Sequence, residues 1–334
     1  MKIKKTPEPY WYLSDDSFNR DIEYLRNNWI MLTHESMIPR LGDTFAIDIC
    51  NVPAFIRRDS DGVIKGYINS CPHRGGPLFW NGVENKKTIL CKYHAWSFKN
   101  SGELKGISTF GCDVSCLDKN KTSLKEIAVK IADGFVFVNL CLNRDCASAP
   151  APDYDFLSQK LFDKSKDVYY YGDMSFSVRA NWKLYVETWL EDYHFGYLHP
   201  SLAKEISVKQ CKVTSTPSCV LCESVSASPE GVFDGVWGLI YPCTGLEYYK
   251  DGFGVELIFP VNKNETLVKY LFFFQIGIMQ EQIDRTIKIS EDLIHEDIAA
   301  CEHIQKTLGS GVFTTGFLSP VHEDGLSGFH EKYR

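Results

Sequence analysis

Apolar residues recur at two different periods along this chain, and the switches between them divide it. Phe18, Ile22, Leu25 and Trp29 return at helical spacing, which predicts an amphipathic helix over residues 16–30. After Gly42 the period falls toward two. DTFAIDIC, PAFIRR and GVIKGYINS alternate or run apolar over short lengths, with turn residues around Asn51 and at Asp59-Ser60-Asp61-Gly62 between them. They predict a meander of short antiparallel strands that leads into Cys71, and the same texture continues through IAVKIADGFVFVNL, residues 127–140. The Ala- and Pro-rich CASAPAPDYDF, residues 146–156, is expected to be a linker. Beyond it come a strand at YYYGDMSFSV and a helix over 181–199. CKVTSTPSCVLCESVSAS, GVWGLIYPCTGLEYY, GFGVELIFPV and TLVKYLFFFQIGIM then predict a run of antiparallel strands. A helix over roughly 283–308 closes the chain, and no internal repeat or low-complexity tract interrupts it.

Two of these helices carry polar residues where a core face is due. In NWKLYVETWLEDYHFGYLH, Leu184, Glu187, Glu191 and His194 fall at i, i+3, i+7 and i+10, on one helical face. His199 precedes Pro200, which pushes it out of the α region and places it just past the helix end, turned back toward His194. Two imidazoles converging in this way suit a metal with Glu191 as an outer partner; a buried polar network or a histidine cap is the plainer alternative. In the closing helix the apolar stripe runs Ile289, Leu293, Cys301, Ile304 and Leu308, and Asp297 fills the slot between Leu293 and Cys301. A carboxylate in an apolar stripe is costly unless it is paired or bound to metal. Glu296 and Glu302 fall off that stripe and are expected to be solvated. His194, His199 and Asp297 together form a two-His, one-carboxylate set, the ligand type of non-haem Fe(II) oxygenases.

The loop after the first meander is more specific. Cys71-Pro72-His73-Arg74-Gly75-Gly76 and Cys91-Lys92-Tyr93-His94-Ala95-Trp96 give C-x-H, seventeen residues, then C-x2-H. Two thiolates and two imidazoles arriving as two loop pairs admit either zinc or a [2Fe–2S] cluster with histidines on one iron. Zinc pairs usually keep one ligand type each, whereas here each pair mixes one Cys with one His. The glycines let the backbone come close to cluster sulfurs.

CPHRGGPL and CKYHAWSF resemble the motif of Rieske non-haem iron oxygenases, the aromatic-ring-hydroxylating enzymes and their relatives. The respiratory Rieske proteins carry an extra disulfide-forming cysteine in each loop, and this sequence does not. The resemblance spans nearly the whole chain. It implies an α+β protein with an antiparallel β Rieske domain and a helix-grip-like catalytic domain, an antiparallel sheet covered by helices. The expected boundaries are 1–40 as an N-terminal helical part of the catalytic domain, 41–150 as the Rieske domain, and 151–334 as the catalytic domain. The resemblance also implies that Cys71 and Cys91 hold one cluster iron and His73 and His94 the other. His194, His199 and Asp297 would hold a mononuclear Fe(2+). Trp96 and Arg74 match the motif's surroundings, with packing and loop support as their expected roles. In the family, the carboxylate three residues before the first iron histidine bridges it to a cluster histidine on a neighbouring subunit. Here that residue is Glu191, a choice similar to the branch of carnitine and choline monooxygenases; Asp192 competes for the role but projects about 200° from His194 at ~100° per residue. The implied activity is mono- or dioxygenation or oxidative dealkylation of a small organic substrate with O2. Electrons would come from a separate flavin or iron–sulfur reductase, since no G-x-G-x-x-G fingerprint is evident, and the oligomer would be a head-to-tail homotrimer.

Composition narrows the setting. The 334 residues suffice for two domains, and 44% hydrophobic with 24% charged residues is ordinary for a globular chain. A net charge of −7 argues against nucleic acid as a partner. No run approaches a membrane span, and MKIKKTPEPYWY lacks the apolar stretch of a signal peptide, so the expected location is the cytoplasm. Most of the twelve cysteines are then expected to be thiols. Two other classes stay open at this point. A non-catalytic Rieske electron carrier would need only about 100 residues and no iron triad; a zinc-binding structural protein is the other. Strands over 238–277 are expected to line the substrate pocket, and their aromatics suit either a cation-holding cage or simple core packing.

Overall fold

The structure is a computed structural model that describes residues 3–112, 117–142, 151–162, 165–207 and 211–333. It is an α+β protein built from antiparallel sheets, and it divides into two compact units. One comprises residues 33–150 with 26–29; the other comprises 1–25, 30–32 and 151–334.

In the first unit the expected meander forms as Asp43–Ile49, Val52–Arg58 and Ile64–Ile68, and the 127–140 segment as the hairpin Glu126–Ala132 and Phe135–Asn139. Asp133 and Gly134, both at positive φ, make that hairpin's turn. Gly82–Asn85 pairs with Asp43–Ile49 at the edge of the sheet. Residues 33–40, expected to belong with the N-terminal helix, fold with this unit. Arg58 holds them, donating to Ile38 O at 2.8 Å and pairing with Glu35 at 3.0 Å, and Glu35 N–H donates to Gly134 O at 2.7 Å. A small three-stranded sheet, Ile89–Leu90, Ser97–Phe98 and Leu104–Gly106, carries the second Cys/His loop. Phe55, Tyr67, Phe79, Ile89 and Phe98 form the core beneath both loops, and Cys71, Cys91 and Trp96 are part of it.

The second unit is organised on one seven-stranded sheet. Its strands lie in the order Val168–Val178, Glu265–Gln275, Gly252–Asn262, Thr244–Tyr249, Phe233–Ile240, Cys219–Glu223 and Lys212–Ser215, all antiparallel neighbours. Val168–Val178 alternates half-buried and exposed residues, as a strand with one wet face should; Gly252–Pro260 is buried on both faces. The N-terminal helix runs Asp15–Asn27; the helix expected to close the chain runs Gln280–Gly309, longer than the apolar stripe suggested, and a further helix, Asp324–Tyr333, follows it. Of the linker, residues 146–150 lie outside the described residues, and Tyr154–Lys160 is a helix capped by Asp153, whose carboxylate accepts from Phe156 N–H at 3.0 Å. Cys141 is disulfide-bonded, and nine other described cysteines are free. Among the described residues no helix is long and apolar enough to cross a membrane.

Candidate metal centres

The two Cys/His loops are built alike. Gly75 N–H donates to Cys71 O at 2.8 Å, and Ala95 N–H to Cys91 O at 3.1 Å; both Gly75 and Ala95 sit at positive φ, closing a turn four residues after the cysteine. Lys92 N–H donates to Pro77 O at 2.9 Å and ties one loop to the other. Gly76 is needed because a Cβ there would press on Tyr93 and on Cys91 Sγ. The donors separate by depth, with Cys71 and Cys91 buried in the core, His73 half-buried and His94 exposed. The His73 and His94 rings stand 4.8 Å apart, His73 stacks on Trp96 at 4.8 Å, and the Arg74 guanidinium lies over Tyr93. Burial, with Cys91 adjacent, pushes the Cys71 thiol up to about 11, so two thiolates here call for a bound cation. Among the described residues only His194, His199 and Asp297 gather three metal-ligating atoms around one point. An inner cysteine pair and an outer histidine pair fit a two-iron cluster, cysteines on one iron and histidines on the other.

The second site starts from the helix Trp182–Thr188, which is firmly seated. Asn181 caps it, accepting from Lys183 N–H at 3.1 Å while its amide donates to Tyr12 O at 2.8 Å, and its backbone N–H reaches Gln305 at 3.1 Å. Lys183, fully buried, pairs with Asp21, which also accepts from Trp182 Nε1–H at 3.0 Å. Burial pushes Asp21 up and Lys183 down against their mutual attraction, so the damaging change would be removal of one partner only.

The helix expected to run unbroken over 181–199 stops at Thr188. Trp189 turns its indole onto the sheet and donates to Glu256 at 2.7 Å, in space that a Cβ at Gly245 would fill. A short helix, Phe195–Leu198, follows. Glu191 therefore lies in the intervening turn and not on a continuous helical face with Leu184 and Glu187. Its carboxylate accepts from the backbone N–H groups of Tyr193 and His194, the latter at 3.2 Å, and contacts His194 Nδ1. Asp192, the competitor, is buried and turned to His322 at 3.7 Å. His199 follows the short helix at φ −116°, outside the α region as its proline demands.

His194, His199 and Asp297 come together, with one ligand atom from each within 4.8 Å of the others. Asp297 Oδ1 lies 3.1 Å from His199 Nε2 and 3.8 Å from His194 Nε2, which is buried without a hydrogen-bond partner. An orphaned imidazole nitrogen facing a second imidazole and a carboxylate fits a metal ion. On the long helix the buried positions around Asp297 are Ser290, Ile294, Cys301, Gln305 and Leu308. The stripe is thus shifted from the expected one: Ile289 and Leu293 are half-buried and Ile304 is exposed, because the helix turns its Ile294 edge to the core. Glu296 is not simply solvated, since its carboxylate meets His199 Nδ1 at 2.7 Å. Glu302 is likewise engaged, clasping Arg179 at 2.7 and 3.2 Å. Burial lowers the proton affinity of His199, but Asp297 and Glu296 more than offset it, and the net shift is upward.

Beside this triad lies a cavity lined among others by Trp189, Phe195, Trp237, Glu247 and Glu256. Glu247 and Glu256 escaped the sequence reading; each interrupts an apolar strand, which was the available signal.

Comparison with known proteins bears on both sites. Residues 28–121 match the Rieske [2Fe–2S] domain, and residues 163–230 and 223–334 match the catalytic domain of ring-hydroxylating alpha subunits. The chain is 28% identical to the carnitine monooxygenase oxygenase subunit of Acinetobacter pittii, over 96% of this chain and 91% of that one. It is 22% identical to the chloroplastic choline monooxygenase of Beta vulgaris, over 97% of this chain and 75% of that one. The crystal structure of the quaternary ammonium Rieske monooxygenase CntA with L-carnitine superposes with a TM-score of 0.85, at 27% identity, covering 99% of this chain and 96% of the other.

Proposed function

We propose, from the premise that this chain belongs to the ring-hydroxylating alpha-subunit family of Rieske oxygenases, that it is the terminal oxygenase of a multicomponent system. It takes electrons from a separate reductase and uses them with O2 to hydroxylate, or oxidatively dealkylate, a small organic substrate. Members of this family are enzymes that carry a [2Fe–2S] cluster and a mononuclear iron. When bound, the cluster supplies single electrons and the iron supplies a centre that activates O2.

The residues divide this work. Cys71 and Cys91 are the inner cluster ligands and His73 and His94 the outer ones, in a Rieske domain formed by residues 33–150 with 26–29; residues 1–25, 30–32 and 151–334 make up the catalytic domain. His194, His199 and Asp297 hold the mononuclear iron. Glu296 fixes His199 by its Nδ1, and Glu191 holds His194 by its Nδ1. Trp189, Phe195 and Trp237 give the cavity apolar walls that exclude water.

The observation that carries this is a two-His, one-carboxylate set gathered around one point, in the same chain as a Rieske [2Fe–2S] domain. A simple electron carrier has no use for the second. A head-to-tail homotrimer is supported by the groove outside His194, where Glu187, Glu191 and Glu323 lie beside Leu318 and the exposed Phe317. A neighbouring subunit's Rieske domain docked there would bring a cluster histidine to Glu191. Oxygen uptake with a reductase and NAD(P)H, screened over quaternary amines, aromatic acids and polycyclic amines, tests the proposal. Substrate-dependent uptake with a hydroxylated or dealkylated product is expected. A protein that is reduced and reoxidised with no product from any class would overturn it.

A further inference from the structure

Outside both metal centres, two thiols meet at the edge of the second unit's sheet. Cys211 immediately precedes the edge strand Lys212–Ser215, and Cys222 lies on the neighbouring strand Cys219–Glu223. The register sets Lys212 opposite Glu223 and Val213 opposite Cys222. Side chains two residues apart share one face of a strand, so Cys211 stands with Val213 on the face that carries Cys222. The two cysteines are therefore diagonal cross-strand neighbours, and their side chains are hydrogen-bonded to each other. Both are free thiols.

The two sulfurs differ in surroundings. Cys211 is half-buried, whereas Cys222 is fully buried on the inner of the two strands. The hydrogen bond to Cys211 and burial, with a smaller part from the Asp192 and Glu191 carboxylates, hold the Cys222 thiol well above its ordinary range. Capping Cys211 takes away the largest of these causes. Diagonal neighbours lie roughly 7–8 Å apart at Cα, about an ångström beyond the usual disulfide span. Cys211 precedes the first paired residue of its strand, Lys212, so it can close that gap while the ladder stays in place.

We propose that Cys211 and Cys222 form a thiol-exchange site that takes small disulfides and closes reversibly to an intramolecular bridge. The accessible Cys211, as thiolate, attacks one sulfur of the small disulfide and breaks its S–S bond; one small thiolate leaves, and Cys211 is held as a mixed disulfide. The Cys222 thiol then gives up its proton and attacks Cys211 Sγ, and the second small thiolate leaves. The two protein thiols together lose two electrons and two protons, and the small disulfide takes up both to become two thiols. The bridge ties the edge strand to its inner neighbour. Neither metal centre takes part, so the exchange is independent of the oxygenase assignment.

Anaerobic incubation of the holoprotein with glutathione disulfide, followed by alkylation of the remaining thiols and peptide mass mapping, tests this. A Cys211–Cys222 link is expected in the unaltered chain and should be reversed by dithiothreitol, with the visible cluster spectrum unchanged as the check on folding. Cys222→Ser should stop at one glutathione on Cys211, and Cys211→Ser should leave Cys222 unmodified. The exposed Cys112 is the internal control for reagent strength. Hydrogen exchange gives a second reading on the unaltered chain alone: Lys212–Ser215 should exchange at least about tenfold more slowly once linked. No Cys211–Cys222 link at a glutathione disulfide concentration that modifies Cys112 would overturn the proposal. So would a link from Cys211 to another cysteine, prompt modification of Cys222 in Cys211→Ser, or a linked protein whose edge strand exchanges as fast as before.

Discussion

Glu296→Ala is the most informative single change, because it alters no proposed iron ligand. Glu296 Oε2 lies 2.7 Å from His199 Nδ1, while His199 Nε2 faces Asp297 at 3.1 Å. Holding the proton on Nδ1 leaves the Nε2 lone pair free for metal, so Glu296 sets both the tautomer and the ring orientation. Hydrogen bonds to charged groups contribute roughly 1.5–3 kcal/mol. The Glu296 side chain is 36% exposed, so solvent screening favours the lower end of that range. About 1.5 kcal/mol corresponds to roughly a tenfold loss of Fe(II) affinity, within the 10–100-fold usual for such outer partners. The assay is anaerobic release of mononuclear iron to a chromogenic chelator, with the cluster spectrum as internal control. Glu302→Ala is the matched comparison, since Glu302 is on the same helix but clasps Arg179. Iron release from Glu296→Ala at the rate of the unaltered protein, or equal acceleration by Glu302→Ala, would refute the positioning role.

Three further outcomes are expected. Cys91→Ser should remove the brown colour and the Rieske-type electron paramagnetic signal of the reduced protein; stoichiometric zinc in a colourless unaltered protein would contradict the cluster assignment. Glu191→Gln should retain cluster, iron and oligomer and be reduced normally by the reductase, yet lose orders of magnitude in single-turnover product; normal turnover there, with loss in Asp192→Asn, would transfer the bridge to Asp192. Because Glu247 and Glu256 are raised from 4.5 to about 7 and about 8, their contribution to stability is fully present below about pH 4.5 and is lost as pH rises through 7 to 8. The melting temperature without ligand should therefore fall between pH 6 and 9, and a Glu247→Gln, Glu256→Gln double variant should flatten that slope; identical slopes would count against it.

Much of the chemistry was legible because it is carried by short spacings. The C-x-H and C-x2-H loops need only local turns, and strand alternation through 43–68 and 212–275 located the sheets. Asp297 stood out as a carboxylate in an apolar helical stripe, although the stripe itself is rotated toward Ile294. What periodicity could not reveal was set by tertiary contacts. The helix breaks after Thr188 where Trp189 turns to Glu256 across a strand some seventy residues away in the chain, a distance no helical wheel spans. Glu296 looked solvated because its partner His199 comes from another helix end. Glu247 and Glu256 read as strand residues because the cavity they face exists only once strands and helices have packed.

The most direct test of the central claim is a single turnover of fully reduced protein mixed with O2 and a substrate identified by oxygen uptake, in the unaltered chain and in Asp297→Ala. The account predicts that in the unaltered protein cluster oxidation and product rise together. In Asp297→Ala the cluster spectrum should persist while mononuclear iron and product are lost. Undiminished product from Asp297→Ala, or product formed with the cluster still reduced, would contradict it.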